Sequence, residues 1–422
     1  MRLRTLLLVH WPAALLAAGC GDYRTVEPAP IPVVGRVSDQ LGWPVAGQVV
    51  AAGDSTIFDR ATTTGPDGTF VLQVKRIPYD LALVTSASGV LSQTVVYRGV
   101  TRLDPTITLL MLSSGSPASP PPGLRAATLA GTVPAPCDRA ACPGGVQSVV
   151  AFDPGPTGAF FGWAATGPFD YHLAVSWTGG AARTGRIHAL AWAELPASPG
   201  QYWYGIAPAT AVDGTATTVD LPPLAPPATG PLSGTLSAPP GAVVDSAAIY
   251  HTLAQEPVAM HAFTVARPGA SFRFDIPAVA AVRTSLVVQG TGAAGESLSA
   301  GRAWVVAGNT GLSVDLHAAP ALLAPAAGAT GVGPGTRVAW TAEAGALGLL
   351  WFPPVLVHTA ASETVLPDFS ALGLAYPAGA AGQWYVTQER VYPGIDAMLA
   401  PPPAGPADWW SSRSVAHPFT FR

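Results

Sequence analysis

Turn residues interrupt this chain too often for long helices to form. Its 422 residues include 46 glycines and 44 prolines. A proline inside a helix removes a hydrogen bond and clashes with the preceding turn, costing about 3 kcal/mol, and a glycine costs about 1 kcal/mol relative to alanine. Helix bundles and coiled coils are therefore excluded. The rest of the composition argues against disorder: 49% of residues are hydrophobic and the formal net charge is −4, whereas disordered chains are poor in apolar residues and rich in like charge. An all-β, turn-rich protein of several small domains remains. Charged residues make up 11% of the chain and carry no basic surplus for phosphate backbones, so no nucleic-acid partner is expected.

The N-terminus has a distinct layout. Met1-Arg2-Leu3-Arg4 is cationic, Thr5 to Ala18 is mostly apolar, and small residues follow. This is the order of a secretory signal peptide. The apolar stretch is too short to span a hydrocarbon core of about 30 Å, and Pro12 interrupts it. Leu16-Ala17-Ala18-Gly19-Cys20 resembles the lipobox of bacterial lipoproteins, although Ala17 stands where leucine is usual and Leu16 lies one step further out. The resemblance implies that residues 1–19 are removed and that Cys20 is lipidated. Each buried methylene of an acyl chain contributes about 0.8 kcal/mol, so a multiply acylated cysteine holds to a membrane. Neither Gly21 nor Asp22 clearly matches the aspartate that retains lipoproteins in the inner membrane. The expected location is the outer membrane, with the face left open.

Two cysteines remain, Cys137 and Cys142, in a proline-bounded loop. In an exported protein they read as a local disulfide. So short a closed loop stabilises by only about 2 kcal/mol. A metal site would need further ligands, and no histidine lies near them in sequence.

Ser113 to Gly123 and Pro222 to Pro231 read as linkers, with a softer break around Pro320–Pro325. The expected organisation is a signal peptide (1–19), a lipidated tether (20–30) and four segments. Segment one covers 31–112, followed by a linker at 113–124. Segment two covers 125–222, followed by a linker at 223–231. Segment three covers 232–319 and segment four 320–422. The first three share a rhythm. Each opens on a glycine-bearing strand: Val34-Gly35-Arg36-Val37, Ala130-Gly131-Thr132-Val133 and Ser233-Gly234-Thr235-Leu236. Each closes on a similar strand: Thr106–Leu109, Thr218–Leu221 and Ser313–Leu316. A period of about 100 residues suits tandem β-sandwiches, not a solenoid with repeats of about 20–50.

Segment one carries Gly35-x-Val37-x-Asp39, Gly42-x-Pro44-Val45-x-Gly47 and Thr64-x-x-Asp67-Gly68-x-Phe70. In that order, with the closing Thr106–Leu109 strand, they resemble the carboxypeptidase regulatory-like domain. The resemblance implies a seven-stranded transthyretin-like sandwich with no catalytic residues of its own. Segment two alternates in Tyr171-His172-Leu173-Ala174-Val175, and segment three in Ser271-Phe272-Arg273-Phe274-Asp275-Ile276; both read as half-buried strands. Segment four has an early Val338-Ala339-Trp340 and a late Trp384-Tyr385-Val386. It resembles an immunoglobulin or fibronectin type III-like module, which implies a core tryptophan and a late aromatic strand.

Catalytic signatures are sparse. Gly53-Asp54-Ser55 superficially resembles the Gly-Asp-Ser block of SGNH hydrolases, but no aspartate has a histidine three residues on to complete the site. A Gly-x-Ser-x-Gly elbow, a His-Glu-x-x-His pair and a calcium loop are all missing from the sequence. His172 and His188 could meet only if their strands were neighbours. No cofactor is implied. Aromatics are the best candidates for contact, because sugar rings stack on open Trp and Tyr faces. Tyr202, Trp203 and Tyr204, together with Trp409 and Trp410, place rings on both sides of an extended chain; the competing reading is that they cover cores and joints. The expectation is a non-enzymatic, membrane-anchored lipoprotein of β-sandwich modules serving adhesion, scaffolding or envelope organisation. Its partners would be the membrane, and glycans or other envelope proteins. The alternatives are a carbohydrate-binding lipoprotein using these aromatics, and a hydrolase whose residues converge only in three dimensions.

Overall fold

A computed structural model describes residues 29–39, 42–54, 56–109, 123–137, 145–155, 160–162, 165–166, 170–193, 201–253, 260–266, 269–401 and 408–422. The structure is all-β, built of tandem β-sandwiches, with two short helical turns at Ser370–Leu372 and Ile395–Met398.

The glycine rhythm has a geometric cause. In segments one to three the opening strand lies between two others. It pairs antiparallel with an aromatic-bearing strand and parallel with the closing strand. Gly35 lies opposite Phe70, Gly131 opposite Tyr171 and Gly234 opposite Phe272. At all three positions an added Cβ would strike the aromatic ring and a backbone carbonyl, the latter at 2.7 Å for Pro105, 2.1 Å for Val219 and 2.0 Å for Leu312. The ring fills the space that a side chain would take, so only glycine fits.

The segments are not beads on a string. A fourteen-stranded sheet runs through three of them. Its order is Met260–Ala266, Val243–Leu253, Val282–Thr291 and Ser297–Val305 from segment three. Trp409–Arg413, Ala381–Glu389, Leu347–Phe352 and Val355–Thr359 follow from segment four. Val90–Val100, Tyr79–Ala87, Val49–Asp54 and Ile57–Thr63 from segment one complete a path of twelve, and off it His417–Phe421 of segment four pairs with Ala381–Glu389 and with Ala329–Val332. Two seams make it continuous. Ser297–Val305 pairs antiparallel with Trp409–Arg413. Val355–Thr359 pairs in parallel with Val90–Val100, in the register Val355↔Thr94 to His358↔Tyr97. Edge strands left open are templates for association; here each covers another segment's edge.

The cores follow the sheet. Ala51, Phe58, Ala82 and Val96 of segment one share one apolar cluster with Trp340, Phe352, Trp384, Phe419 and Phe421 of segment four. On the opposite face, Leu347, Ile395 and Leu399 of segment four close the cluster built on Val33, Phe70 and Tyr79. Trp410 enters the segment-three core. Segment two has its own core around Trp177, Leu173 and Trp203. The stretch read as a linker at 223–231 is packed down: Leu224 lies in that core, Ala225 exchanges backbone hydrogen bonds with Tyr204, and the strand Thr229–Ser237 has already begun. Proline fixes the path there, but it does not keep the chain in solvent.

Candidate functional site

The residues singled out from the sequence fall at joints and cores. Cys20 and Cys142 lie outside the described residues, and Cys137 is disulfide-bonded. Trp203 points into the segment-two core. Its neighbours Tyr202 and Tyr204 point the other way, as strand alternation demands, and lie with Val149, Leu190, Trp192 and Leu253 between segments two and three. Trp410 is 7% exposed and stacks on His317, with ring centres 4.2 Å apart. The indole of Trp409 covers the face of Gly301. Tyr202, Trp203 and Trp410 thus present no open face for a sugar: Trp203 is covered by its own segment's core, Tyr202 and Trp410 at joints with a neighbouring segment. His172 and His188 do not meet. They belong to different sheets, with His172 exposed and His188 buried.

The segment two–three joint carries a buried polar chain. The Tyr202 hydroxyl is 3.1 Å from His251 Nε2, and His251 Nδ1 is 2.9 Å from Thr284 Oγ1. His251 is wholly buried, and burial pulls its imidazole from the usual 6.5 down to about 3. Beside it, His188 Nδ1 shares a 2.5 Å hydrogen bond with the Tyr204 hydroxyl, and burial lowers this imidazole too. The two hydroxyls on His251 satisfy both nitrogens of its neutral imidazole without charge.

This joint predicts an acid response. Above pH 6.5 the folded and unfolded states both hold His251 neutral, so its contribution to stability is complete. Below that, the unfolded chain binds a proton that the folded chain refuses. Stability then falls by about 1.4 kcal/mol per pH unit, until the folded value is approached. Denaturant midpoints are expected to drop between pH 6.5 and 4, and His251→Gln is expected to flatten that slope. An unchanged slope in the variant would contradict the assignment.

A cavity of about 650 Å³ lies between segments one and four. Asp80 and Arg98 form an ion pair at its wall, both side chains 9% exposed. Arg98 Nη2 also donates to the Val365 carbonyl at 2.8 Å, and Gly99 N–H donates to Asp80 Oδ1 at 2.9 Å. Burial pushes the Asp80 carboxyl up, against the pull of Arg98. Asp396 accepts from the backbone N–H groups of Thr101 at 2.9 Å and Arg102 at 3.1 Å. Arg337 Nε donates to Glu363 at 3.1 Å. Every carboxylate in the cavity already holds a partner, and its lining includes no Ser, Cys or His to act as a nucleophile or base. The charge pairs and backbone caps of this cavity tie one segment to another. Among the described residues no group of three His, Cys, Asp or Glu could hold a metal ion.

Fold and sites together define an all-β protein of fused sandwiches whose polar clusters sit at the joints. No protein-family model matches the chain, and no curated protein matches it. Among solved structures it is similar to the Bacillus anthracis TIE protein, at 10% identity over 68% of this chain and 51% of that one, with a TM-score of 0.16. It is also similar to BcpA, the major pilin subunit of Bacillus cereus, at 9% identity over 68% of this chain and 99% of that one, again with a TM-score of 0.16. The chain thus spans about half the length of the first of these.

Proposed function

We propose that this protein is a non-enzymatic, lipid-anchored envelope scaffold, in which fused sandwiches hold an adhesive or organising surface at a fixed geometry from the membrane. The continuity of the fourteen-stranded sheet across segments one, three and four carries this reading. A sheet that pairs edge to edge resists bending and separation at its seams, whereas sandwiches joined by free linkers would swing. The polar clusters support it too, since their groups neutralise one another instead of facing a substrate. Segment one divides seven strands between two faces, Thr69–Val74, Ile31–Asp39 and Thr106–Leu109 against Ile57–Thr63, Val49–Asp54, Tyr79–Ala87 and Val90–Val100. That count favours the carboxypeptidase regulatory-like resemblance.

The anchor rests on the sequence from Leu16 to Cys20. Cells expressing the full chain and fed an alkyne analogue of palmitate are expected to label the protein, and Cys20→Ser is expected to abolish that label. Labelling retained in the variant would contradict the anchor and leave the scaffold to be held by other means.

A further inference from the structure

One stretch of the shared sheet turns two aromatic side chains to its outer face. Alternation along Ala381–Glu389 sends Trp384 and Val386 into the core and leaves Gln383 and Tyr385 on the outer face. Trp351 stands directly opposite Tyr385 on the neighbouring strand. Arg413 follows on the next strand, opposite Ser297 of segment three. The rings of Trp351 and Tyr385 are near-parallel, 14° apart in plane and 6.2 Å between centres. The Arg413 guanidinium carbon lies 5.4 Å from the Tyr385 ring centre. With Ser297, Pro353 and Ser414 they line a cavity of about 430 Å³ at the segment three–four seam.

The polar groups here differ from those of the ion-paired clusters. Arg98, Arg125, Arg302 and Arg337 are each matched to a carboxylate. Among the described residues Arg413 has no carboxylate partner, and neither its guanidinium nor the Gln383 amide makes a side-chain hydrogen bond. An unmatched cation, an unengaged amide and two aromatic rings therefore meet in one concavity, whose volume falls in the range of about 300–1,000 Å³ typical of small-ligand sites.

We propose that this groove binds an acidic saccharide. The apolar C–H face of a pyranose ring packs on Trp351, whose ring face carries negative charge density, while Tyr385 holds the Arg413 guanidinium over its own ring. A uronic carboxylate is the natural partner for Arg413, since guanidinium and carboxylate form paired, charge-assisted hydrogen bonds. Gln383 supplies both donor and acceptor for ring hydroxyls. A neutral sugar would leave Arg413 unmatched. An inorganic anion would leave the rings unused.

Calorimetric titration of the full chain with trigalacturonate tests this, with cellotriose as the neutral comparison. Saturable binding of trigalacturonate is expected, weaker as salt rises, and Trp351→Ala and Arg413→Ala are each expected to weaken it about tenfold or more. Both side chains sit on the outer face, and an unchanged melting midpoint in each variant verifies that the fold persists. Trp304→Ala, which removes an exposed indole stacked under Arg283 elsewhere in segment three, is expected to leave binding intact. Absence of saturable trigalacturonate binding, equal affinity for cellotriose, or a loss of affinity in Trp304→Ala matching that in Trp351→Ala would each overturn the proposal. Such a result would leave the scaffold reading standing, because that reading rests on the seams.

Discussion

Replacing Phe352 with alanine is expected to destabilise segments one and four together, by about 3–5 kcal/mol. Phe352 is fully buried, with its ring 4.1 Å from that of Phe419 and 6.1 Å from that of Trp384. The same cluster contains Phe58, Ala82 and Val96 from segment one. Truncation removes the transfer energy of the ring and leaves a void that packed neighbours fill only in part. Because the cluster spans two segments, the loss cannot be confined to one. Denaturant titration should show one shifted transition for both, whichever segment carries the probe. A biphasic curve with the segment-one phase unmoved would contradict the shared core.

Asp80→Ala should be about as damaging, for a different reason. It leaves Arg98 buried without its carboxylate, and it leaves the Gly99 N–H without its acceptor. Removing one partner of a buried pair costs about 3–5 kcal/mol, because the stranded charge has lost its water as well as its mate. Exposed pairs such as Arg337–Glu363, with side chains 63% and 57% exposed, are worth at most about 1 kcal/mol. The double variant Asp80→Leu/Arg98→Met should recover most of the loss, since apolar replacements of similar volume carry no desolvation penalty. A cost below about 1 kcal/mol for Asp80→Ala would show that solvent reaches the pair and that it does not brace the joint.

Local chemistry made the strands legible, but not the seams between them. The turn at Pro66-Asp67-Gly68, the alternation of Ser271–Pro277 and the glycine rhythm are written in neighbouring residues, and the structure places strands and turns there. The parallel seam joins residues near 95 to residues near 356, and no local pattern encodes so distant a pairing. One signal was available. Tyr79–Ala87 is buried at six consecutive positions, and Val49–Asp54 at four; within them Leu81–Val84 and Val49–Ala52 are apolar runs that do not alternate. A sandwich strand with one wet face alternates; a run buried on both faces needs a second layer. That run in segment one announced that something packs on its other side.

The aromatics show the same limit. Alternation puts Tyr202 and Trp203 on opposite faces, yet nothing local says that segment three covers the side of Tyr202. Tyr385 sits in a stretch that reads as a core strand because Trp384 precedes it. Two adjacent rings on a strand cannot share a face, so one of the pair had to point outward. Which outward rings stay open depends on the packing of neighbouring segments.

Amide hydrogen exchange along the parallel seam of the full chain tests the central claim most directly. Leu91 N–H donates to Ala375 and Thr94 N–H to Pro354, each at 2.9 Å across segments. If segments one and four form one cooperative body, these amides and those of Val355–Thr359 should exchange as slowly as core amides such as Leu350 and Val386, and Phe352→Ala should speed them all by the same factor. Fast exchange at Leu91 and Thr94 beside a protected core would show that the seam opens on its own, and would contradict a fused scaffold.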